Sequence, residues 1–322
     1  MSRGPIANEP PRLWSPVLAF ATVYLIWGST YLAIRFAVET LPPFLMAAAR
    51  FLLAGAILYP LVRRRFPGRL TRRHWVSAAI VGTLMLLGGN GLVCWAEQEV
   101  PSGIAALLVA TIPLWMIGLD WALYREPRPT RRVLLGLALG FVGVIGLVNP
   151  LALGGERLHL PSALAVLAAC GFWGLGSLYS RRHDLPANAF LSTAMQMLTG
   201  GVSLLICGTI VGEWGQVDLT GVSLASLLSL AYLVVFGSLI ALSAYVWLLQ
   251  NCSPAKVSTY AFVNPVVAVA LGALFAGEPF SGRQAIAAAA IIGSTMLITL
   301  AGKKRESMEP RTCEIKAACT AE

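Results

Sequence analysis

Long apolar runs dominate this 322-residue chain and constrain its fold more than any other feature. Hydrophobic residues make up 57% of the chain and charged residues only 12%, whereas soluble domains carry about 25% charged residues. A water-soluble protein needs a polar exterior, and this chain has too few polar residues to provide one. The composition therefore excludes an ordinary soluble enzyme, a disordered chain and a disulfide scaffold. It predicts a polytopic membrane protein whose apolar exterior faces the lipid bilayer.

Ten runs are long enough to cross a membrane, which takes roughly 20 mostly apolar residues per helix. The runs are continuous and do not alternate apolar with polar residues, which favours helices over a β-barrel. We expect an all-α integral membrane protein with a tail at each end, residues 1–15 and 302–322. The expected spans are 16–37, 44–62, 75–95, 102–124, 133–148, 162–179, 189–212, 226–249, 257–276 and 284–301.

The positions of the basic residues predict the orientation. If the N-terminus is cytoplasmic, most of the 24 Lys and Arg residues fall in the two tails and in the loops on that side. Only Arg35, Arg157 and Arg283 fall on the opposite side, and Arg50 lies within a span. Cytoplasmic loops carry such an excess of basic residues. We therefore expect both termini in the cytoplasm, and we interpret the net charge of +9 as an orientation signal. No nucleic-acid partner is expected.

The two halves of the chain resemble each other. The matching segments are Trp27-Gly28 with Trp173-Gly174, Ala54-Gly55 with Gly200-Gly201, and Pro113 and Glu126-Pro127 with Pro265 and Glu278-Pro279. Each half would hold five spans, and a second copy of a unit with an odd number of spans must enter the membrane in the opposite orientation. The pattern predicts two inverted five-helix repeats, residues 16–149 and 161–301. Secondary transporters have this architecture, with substrate sites near the membrane midplane.

Two motifs identify a family resemblance. Ile-Trp-Gly-Ser-Thr at 26–30 and Ala-Arg-Phe-Leu-Leu-Ala-Gly at 49–55 resemble EamA-type members of the drug/metabolite transporter superfamily. Residues 89–106 are most similar to the YedA-type permeases of that family. The resemblance covers about residues 16–301. It implies a multi-pass protein of the bacterial inner membrane that exports small metabolites, such as amino acids, or amphipathic drugs. The motifs are short and apolar, so they identify the family and not the substrate.

Polar and aromatic residues at mid-membrane depth are the candidates for a small-molecule substrate site, because burying them is costly without a partner or a wet cavity. Guided by the resemblance, we expect spans one, three, four, six, eight and nine to wall this cavity. The substrate-binding candidates are Tyr24, Trp27, Tyr31, Asn90, Trp115, Trp173, Ser177, Tyr260 and Asn264. The alternative is structural: the rings would pack between helices, and the amides would hydrogen-bond neighbouring helices.

Two prolines are candidates for gating. Pro113 and Pro265 each remove a backbone donor in mid-span, which permits bending. A static kink is the alternative interpretation.

Charged residues in or near the spans have several possible roles. Arg50 effectively stays charged, so it could attract an anionic substrate group. It could equally snorkel outward, or pair with Glu39, Glu97 or Glu99. We expect Asp120 to form an interfacial ion pair near Arg125 and Glu97 to lie at the outer rim, so the sequence gives little support for proton coupling.

Motifs for ATP hydrolysis, metalloprotease activity and metal binding are absent from the sequence. We expect no cofactor, no metal site and no enzymatic activity. The predicted function is secondary export by alternating access. A passive channel, a lipid scramblase and a non-transporting membrane scaffold are the alternatives.

Overall fold

The computed structural model describes residues 15–66, 68–100, 102–125, 128–148, 159–218, 220–275 and 282–306. Regular secondary structure in these ranges is helical, as predicted, and includes a short 3₁₀ turn at Glu213–Gln216. The α-helices are α1 (Pro16–Val38), α2 (Pro43–Arg65), α3 (Arg72–Ala96), α4 (Ser102–Val109), α5 (Ile112–Tyr124), α6 (Arg131–Val148), α7 (Leu160–Arg182), α8 (Ala189–Ile210), α9 (Leu224–Asn251), α10 (Pro254–Val257), α11 (Tyr260–Phe275) and α12 (Gly282–Glu306).

Seven helical stretches within the described residues are long and apolar enough to cross a membrane. They are α1, α2, α3, α7, α8, α9 and the stretch Ala105–Tyr124, which spans most of α4 and α5. An all-α protein with several membrane-spanning helices is therefore confirmed. The count of ten spans and the inverted repeat stay predictions. The two Glu-Pro segments of the repeat and most of both tails lie outside the described residues.

Local sequence signals explain where the helices begin. The Ser15 hydroxyl accepts a hydrogen bond from the Leu18 amide at 3.2 Å, and the Asn188 side chain accepts one from the Leu191 amide at 3.0 Å. Each side chain satisfies an amide that has no partner inside its helix. Proline stands in the first turn of α1, α2 and α7, where its fixed φ suits a helix start.

Helices α2 and α8 cross through a reciprocal pair of glycine contacts. A Cβ atom placed on Gly55 would lie 2.9 Å from Cγ of Leu198, and one on Gly201 would lie 2.8 Å from Cγ of Leu52. Gly55 and Gly201 are the glycines that the sequence comparison places at equivalent positions in the two halves. Small residues let helices approach closely where lipid provides no hydrophobic drive for association. The glycine match found in the sequence thus marks an interhelical contact.

Helices α3 and α8 approach even more closely. A Cβ atom on Gly82 would lie 2.6 Å from the backbone oxygen of Gln196 and 2.7 Å from the backbone nitrogen of Gly200. Both neighbouring atoms belong to the backbone of α8, so no side-chain movement could relieve such a contact.

The fourth predicted span is broken, contrary to expectation. Helix α4 ends at Val109 and α5 begins at Ile112, so Pro113 lies in the first turn of a new helix. There its missing N–H breaks no intrahelical bond, and a mid-helix kink at Pro113 is therefore wrong. Pro265 does lie inside α11. The gating roles of both prolines stay predictions.

Candidate functional site

A central cavity of about 80 Å³ lies between the helices of both halves. It has room for a handful of water molecules. Seven residues singled out from the sequence line it: Trp27, Tyr31, Arg50, Asn90, Trp173, Tyr260 and Asn264. The lining comes from α1, α3, α4, α5, α7, α9 and α11, which cover the six expected spans, and additionally from α2. Span two was not among the expected walls, although Arg50 on it was a candidate residue. The substrate-binding roles of the lining residues stay predictions.

Four aromatic rings pack together at the cavity, and we call them the aromatic cluster: Trp27, Trp173, Tyr245 and Tyr260. Three of them, Trp27, Trp173 and Tyr260, line the cavity, whereas Tyr245 is fully buried beside them. The centroid of the Trp27 ring lies 5.5 Å from that of Trp173 and 5.0 Å from those of Tyr245 and Tyr260. The rings meet in tilted and edge-on arrangements, which the aromatic quadrupole favours. Trp27 and Trp173 are the two repeat-related tryptophans, so the two halves meet at this cluster.

Hydrogen bonds hold the aromatic cluster in place. Trp27 Nε1 donates to the carbonyl of Gly237 at 3.2 Å, and Trp173 Nε1 donates to the Tyr245 hydroxyl at 2.9 Å. The Tyr245 hydroxyl also lies 2.8 Å from the Ser177 hydroxyl. The polar atoms of both tryptophan rings therefore have partners, so Trp27 and Trp173 present mainly apolar surface to the cavity.

Tyr245 was missed by sequence reasoning. It is fully buried and connects α9 to α7 through Trp173 and Ser177. The signal was available, because Ser243 and Tyr245 interrupt an otherwise apolar run.

Arg50 is the charged residue on the cavity. Its side chain is buried, Nε donates to the Ser238 hydroxyl at 2.8 Å, and Nη1 has no hydrogen-bond partner among the described residues. Its guanidinium carbon lies 4.7 Å from the centroid of the Phe51 ring. Burial rules out snorkelling to the surface. Neither Glu97 nor the other two glutamates considered forms an ion pair with it within the described ranges. The hydrogen bond to Ser238 fits a structural role between α2 and α9, and contact with a substrate stays a prediction.

Asn264 adds further unsatisfied polar atoms. It is 1% exposed, and neither its amide oxygen nor its amide nitrogen has a hydrogen-bond partner in the described part of the chain. Tyr31 lies close by without a hydrogen bond of standard geometry to it. Buried polar groups are normally paired, and each exception needs an explanation. Both Asn264 and Arg50 line the cavity, so water or a polar ligand there is a candidate partner for their unpaired atoms.

Helices α3 and α9 both widen where they pass the cavity. Thr83–Gly91 in α3 and Leu233–Leu242 in α9 have π-helical turns. Asn90 and Gly237, which line the cavity, lie within these segments. Wide turns of this kind are rare and frequently mark functional sites. Apolar periodicity does not predict them, although the run Gly88-Gly89-Asn90-Gly91 weakens the helix there.

Three predicted substrate-binding residues do not line the cavity. The Tyr24 hydroxyl lies 2.7 Å from the Thr259 hydroxyl, Ser177 lies behind the aromatic cluster, and Trp115 is 40% exposed on the outer side of α5, close to Gly171. These placements favour structural roles. Lipid and protein interior are both apolar, so residue spacing could not distinguish the faces of these helices.

Asp120 forms an ion pair near the end of α5, as the sequence predicts. It accepts a hydrogen bond from Arg182 at 2.7 Å, which joins α5 to α7. Arg125, which is near it in the sequence, ends α5 in a left-handed backbone conformation.

Two glutamates are buried near the ends of helices, with opposite environments. The Glu213 carboxylate accepts hydrogen bonds from the backbone amides of Phe44 at 3.1 Å and Leu45 at 2.8 Å, and so caps α2. Glu97 follows the end of α3 and is 6% exposed, and neither of its oxygens has a partner in the described residues. It therefore lies at the end of its span but is buried, which the sequence did not indicate. Burial raises the pKa of the Glu97 carboxyl well above its usual range, and the positive charge of Arg35 opposes this in part.

Replacing Glu213 by glutamine tests the cap. Glutamine has one acceptor oxygen instead of two, so one amide of α2 would lose its partner. We expect Glu213→Gln to lower the free energy of unfolding by about 1–3 kcal/mol. Denaturation by a graded series of SDS concentrations in mixed micelles measures the change. The exposed Glu99 supplies the control, since Glu99→Gln should stay within about 0.5 kcal/mol of wild type. Equal stability of both variants would contradict the capping role.

Comparisons with known proteins agree with this architecture. Residues 14–149 and 160–300 each match the model of the EamA-like transporter family. The chain is 41% identical over 285 residues to a protein of Escherichia coli K12 named "Uncharacterized inner membrane transporter YedA", with 88% of this chain and 90% of the relative covered. It is 23% identical to a protein of Salmonella typhimurium LT2 named "Probable amino-acid metabolite efflux pump", covering 87% of this chain and 93% of the relative. A crystal structure with 21% sequence identity superposes with a TM-score of 0.71 over 89% of this chain and 98% of the other. That last match shows a shared fold.

Proposed function

This chain belongs to the EamA-like transporter family, and from that premise we propose that it is a secondary transporter that exports small metabolites by alternating access. The observation that carries the proposal is the central cavity, where polar atoms of Arg50 and Asn264 without partners in the described residues lie beside the aromatic cluster. The chemistry of this lining, apolar rings with a few polar groups, suits a small molecule with a polar group and a flat or apolar part, for which the cavity would have to widen. Amino acids and amphipathic compounds have this chemistry.

Helix packing supports alternating access. Helix α1 packs on α9 and α11, and its counterpart α7 packs on α3 and α5. Helices α2 and α8 pack on each other, as do α6 and α12. The pattern is preserved when each helix is exchanged with its counterpart in the other half. Two inverted five-helix repeats would produce this symmetry, and rocking of one repeat against the other would open the cavity to each side in turn.

Charge supports the proposed orientation in the inner membrane. Arg73 lies 3.8 Å from Asp184, and Arg182 pairs with Asp120. One basic end of the bundle therefore contains the ends of α2, α5 and α7 and the beginnings of α3 and α6. We assign this end, with both chain termini, to the cytoplasm.

Reconstitution into proteoliposomes tests the function. The flux of amino acids, nucleosides and amphipathic cations would be measured as a panel. For the compound that is carried, the flux should saturate with concentration and should be reduced by related compounds that compete with it. Flux without saturation would favour a passive channel, and movement of labelled phospholipid between leaflets would favour a scramblase. Flux no higher than in empty vesicles for the whole panel would favour a scaffold.

Asn264 provides a variant that separates transport from folding. Within the described residues its amide makes no hydrogen bond of standard geometry, although Tyr31 lies close by. We therefore expect Asn264→Leu to retain or increase stability. Loss of a polar contact to the substrate should reduce transport at low substrate concentration by about 10-fold or more, as for a contact of 1–3 kcal/mol. Initial rates of uptake over a range of substrate concentrations measure this effect.

Ser243 is the matched control for Asn264. It is equally buried and its hydroxyl also has no partner in the part of the chain that the structure describes, but it does not line the cavity. Ser243→Ala should leave transport unchanged. Equal effects of Asn264→Leu and Ser243→Ala would remove Asn264 from the substrate site.

A further inference from the structure

Glu97 is a buried acid that the proposed transport site does not use. It is nearly as buried as Glu213, yet the two differ in partners. Two backbone amides satisfy Glu213, whereas both oxygens of Glu97 lack partners in the described ranges. An ionised carboxylate in an apolar site is very unfavourable without such compensation. A protonated carboxyl is much less costly there, because it carries no charge.

The position of Glu97 relates it to the cavity. Asn90 and Val93 line the cavity from α3. Glu97 comes seven residues after Asn90 and four after Val93, so it lies on the same face of the helix. The next residues, Gln98 and Glu99, are exposed. Glu97 therefore lies between the cavity and the solvent at the end of α3, under an exposed turn. A small outward movement of this turn would hydrate its carboxyl.

The charged and titratable groups around Glu97 do not neutralise it. From α1, the exposed Arg35 is near enough for its charge to act on Glu97, and the Tyr31 side chain also interacts with it. From α3, the buried Cys94 thiol lies one turn away. The charges of Arg50 from α2 and of Glu213, which caps α2, interact electrostatically with Cys94. None of them forms an ion pair or hydrogen bond with Glu97 in the described part of the chain.

We propose that Glu97 binds a proton in this conformation and releases it when the α3 end of the bundle opens, so that transport is coupled to proton movement. In the closed state the O–H bond of the carboxyl is intact. On opening, that bond breaks, the proton passes to water, and the hydrated carboxylate keeps the electron pair. Re-closure requires that a proton be taken up again. The coupling to transport rests on the proposed function, whereas the proton site itself does not.

Infrared spectroscopy of the protein in liposomes tests the proton site without any substrate. Wild type at neutral pH should show the carbonyl stretch of a protonated carboxylic acid. The band should be absent from Glu97→Gln, shifted in Glu97→Asp, and unchanged in the exposed control Glu99→Gln. A wild-type spectrum without the band, or an undiminished band in Glu97→Gln, overturns the proposal.

The pH dependence of melting provides a second readout. Above the ordinary carboxyl pKa of 4.5, the unfolded chain releases its proton while folded Glu97 keeps it. The folded state is therefore progressively destabilised as the pH rises through this window. As the pH rises above this ordinary value, the melting temperature of wild type should fall relative to that of Glu97→Gln for as long as the folded carboxyl keeps its proton. Parallel curves would contradict a proton held at Glu97.

Reactivity of Cys94 tests the opening. In a variant whose other cysteines are replaced by serine, a membrane-impermeant maleimide should label Cys94 slowly while this end is closed. As the pH rises, the rate of Cys94 labelling in protein that retains Glu97 should increase about 10-fold or more relative to the rate in Glu97→Gln. One pH unit changes the ratio of deprotonated to protonated carboxyl 10-fold. A constant ratio would show that proton release does not open this end. If these readouts behave as expected but no compound is transported, the proposed function fails and the proton site stands.

Discussion

Gly82→Ala is expected to destabilise the protein by about 3 kcal/mol or more, although alanine favours a helix over glycine by about 1 kcal/mol. The added methyl carbon would lie 2.6 Å from one backbone atom of α8 and 2.7 Å from another. Neither atom can move away without displacing the whole helix. Separation of α3 and α8 would weaken the packing of both on their neighbours. Unfolding in SDS or urea, followed by tryptophan fluorescence, measures the loss.

Gly118 in α5 supplies the control for Gly82. A Cβ atom placed there would have no neighbouring atom within 4 Å. Gly118→Ala should therefore stabilise the protein by up to about 1 kcal/mol through helix propensity alone. The same substitution is thus expected to have opposite signs at the two positions. A Gly82→Ala variant as stable as wild type would contradict the close approach of α3 and α8.

Trp27→Ala is expected to cost about 3–5 kcal/mol, the range for removing a large buried aromatic ring. Trp27 is 8% exposed and contacts the other three rings of the aromatic cluster. Its removal leaves a void where dispersion contacts are lost, and the Gly237 carbonyl loses its donor. Because the void enlarges the cavity, transport by the remaining folded protein should also lose selectivity. Unfolding and competition assays measure the two effects.

Two further variants separate the contributions of Trp27. Trp27→Phe keeps a ring but removes the N–H group, so it should recover most of the stability. Trp121 is 48% exposed on α5, and Trp121→Ala should change stability by about 1 kcal/mol or less, including its contact with Arg128. If Trp27→Ala and Trp121→Ala were equally mild, the aromatic cluster would not be a structural centre of the molecule.

The sequence predicts the class of fold and much of the cavity for definable reasons. Ring and amide groups such as Trp173 and Asn264 are conspicuous in apolar spans, since their burial requires partners or water. Repeat-related glycines such as Gly55 and Gly201 indicate contacts because only small residues allow them. These signals depend on residue type and position alone.

Other features could not be predicted, because they depend on how the helices face one another. Spacing along α5 cannot show whether Trp115 faces lipid or protein, since both surroundings are apolar. The burial of Glu97 depends on how the turn after α3 folds back, and nothing in a Glu-Gln-Glu run distinguishes one glutamate from the next. The contact of Asp120 with Arg182 joins residues that are far apart in the sequence, so spacing along the chain could not identify it.

The wide turns of α3 and α9 would allow the later part of each helix to rotate about the helix axis relative to the earlier part. A π-helical turn accommodates one residue more than an α-helical turn, and one residue corresponds to about 100° of rotation around the helix axis. The first part of α3 is anchored at Gly82 against α8, just before its wide turns begin. Tightening these turns would therefore swivel only the later part, which carries Asn90 and Glu97. The rotation would change the directions of the Asn90 and Glu97 side chains. The contact of Gly82 with α8, which joins the two halves, would stay intact.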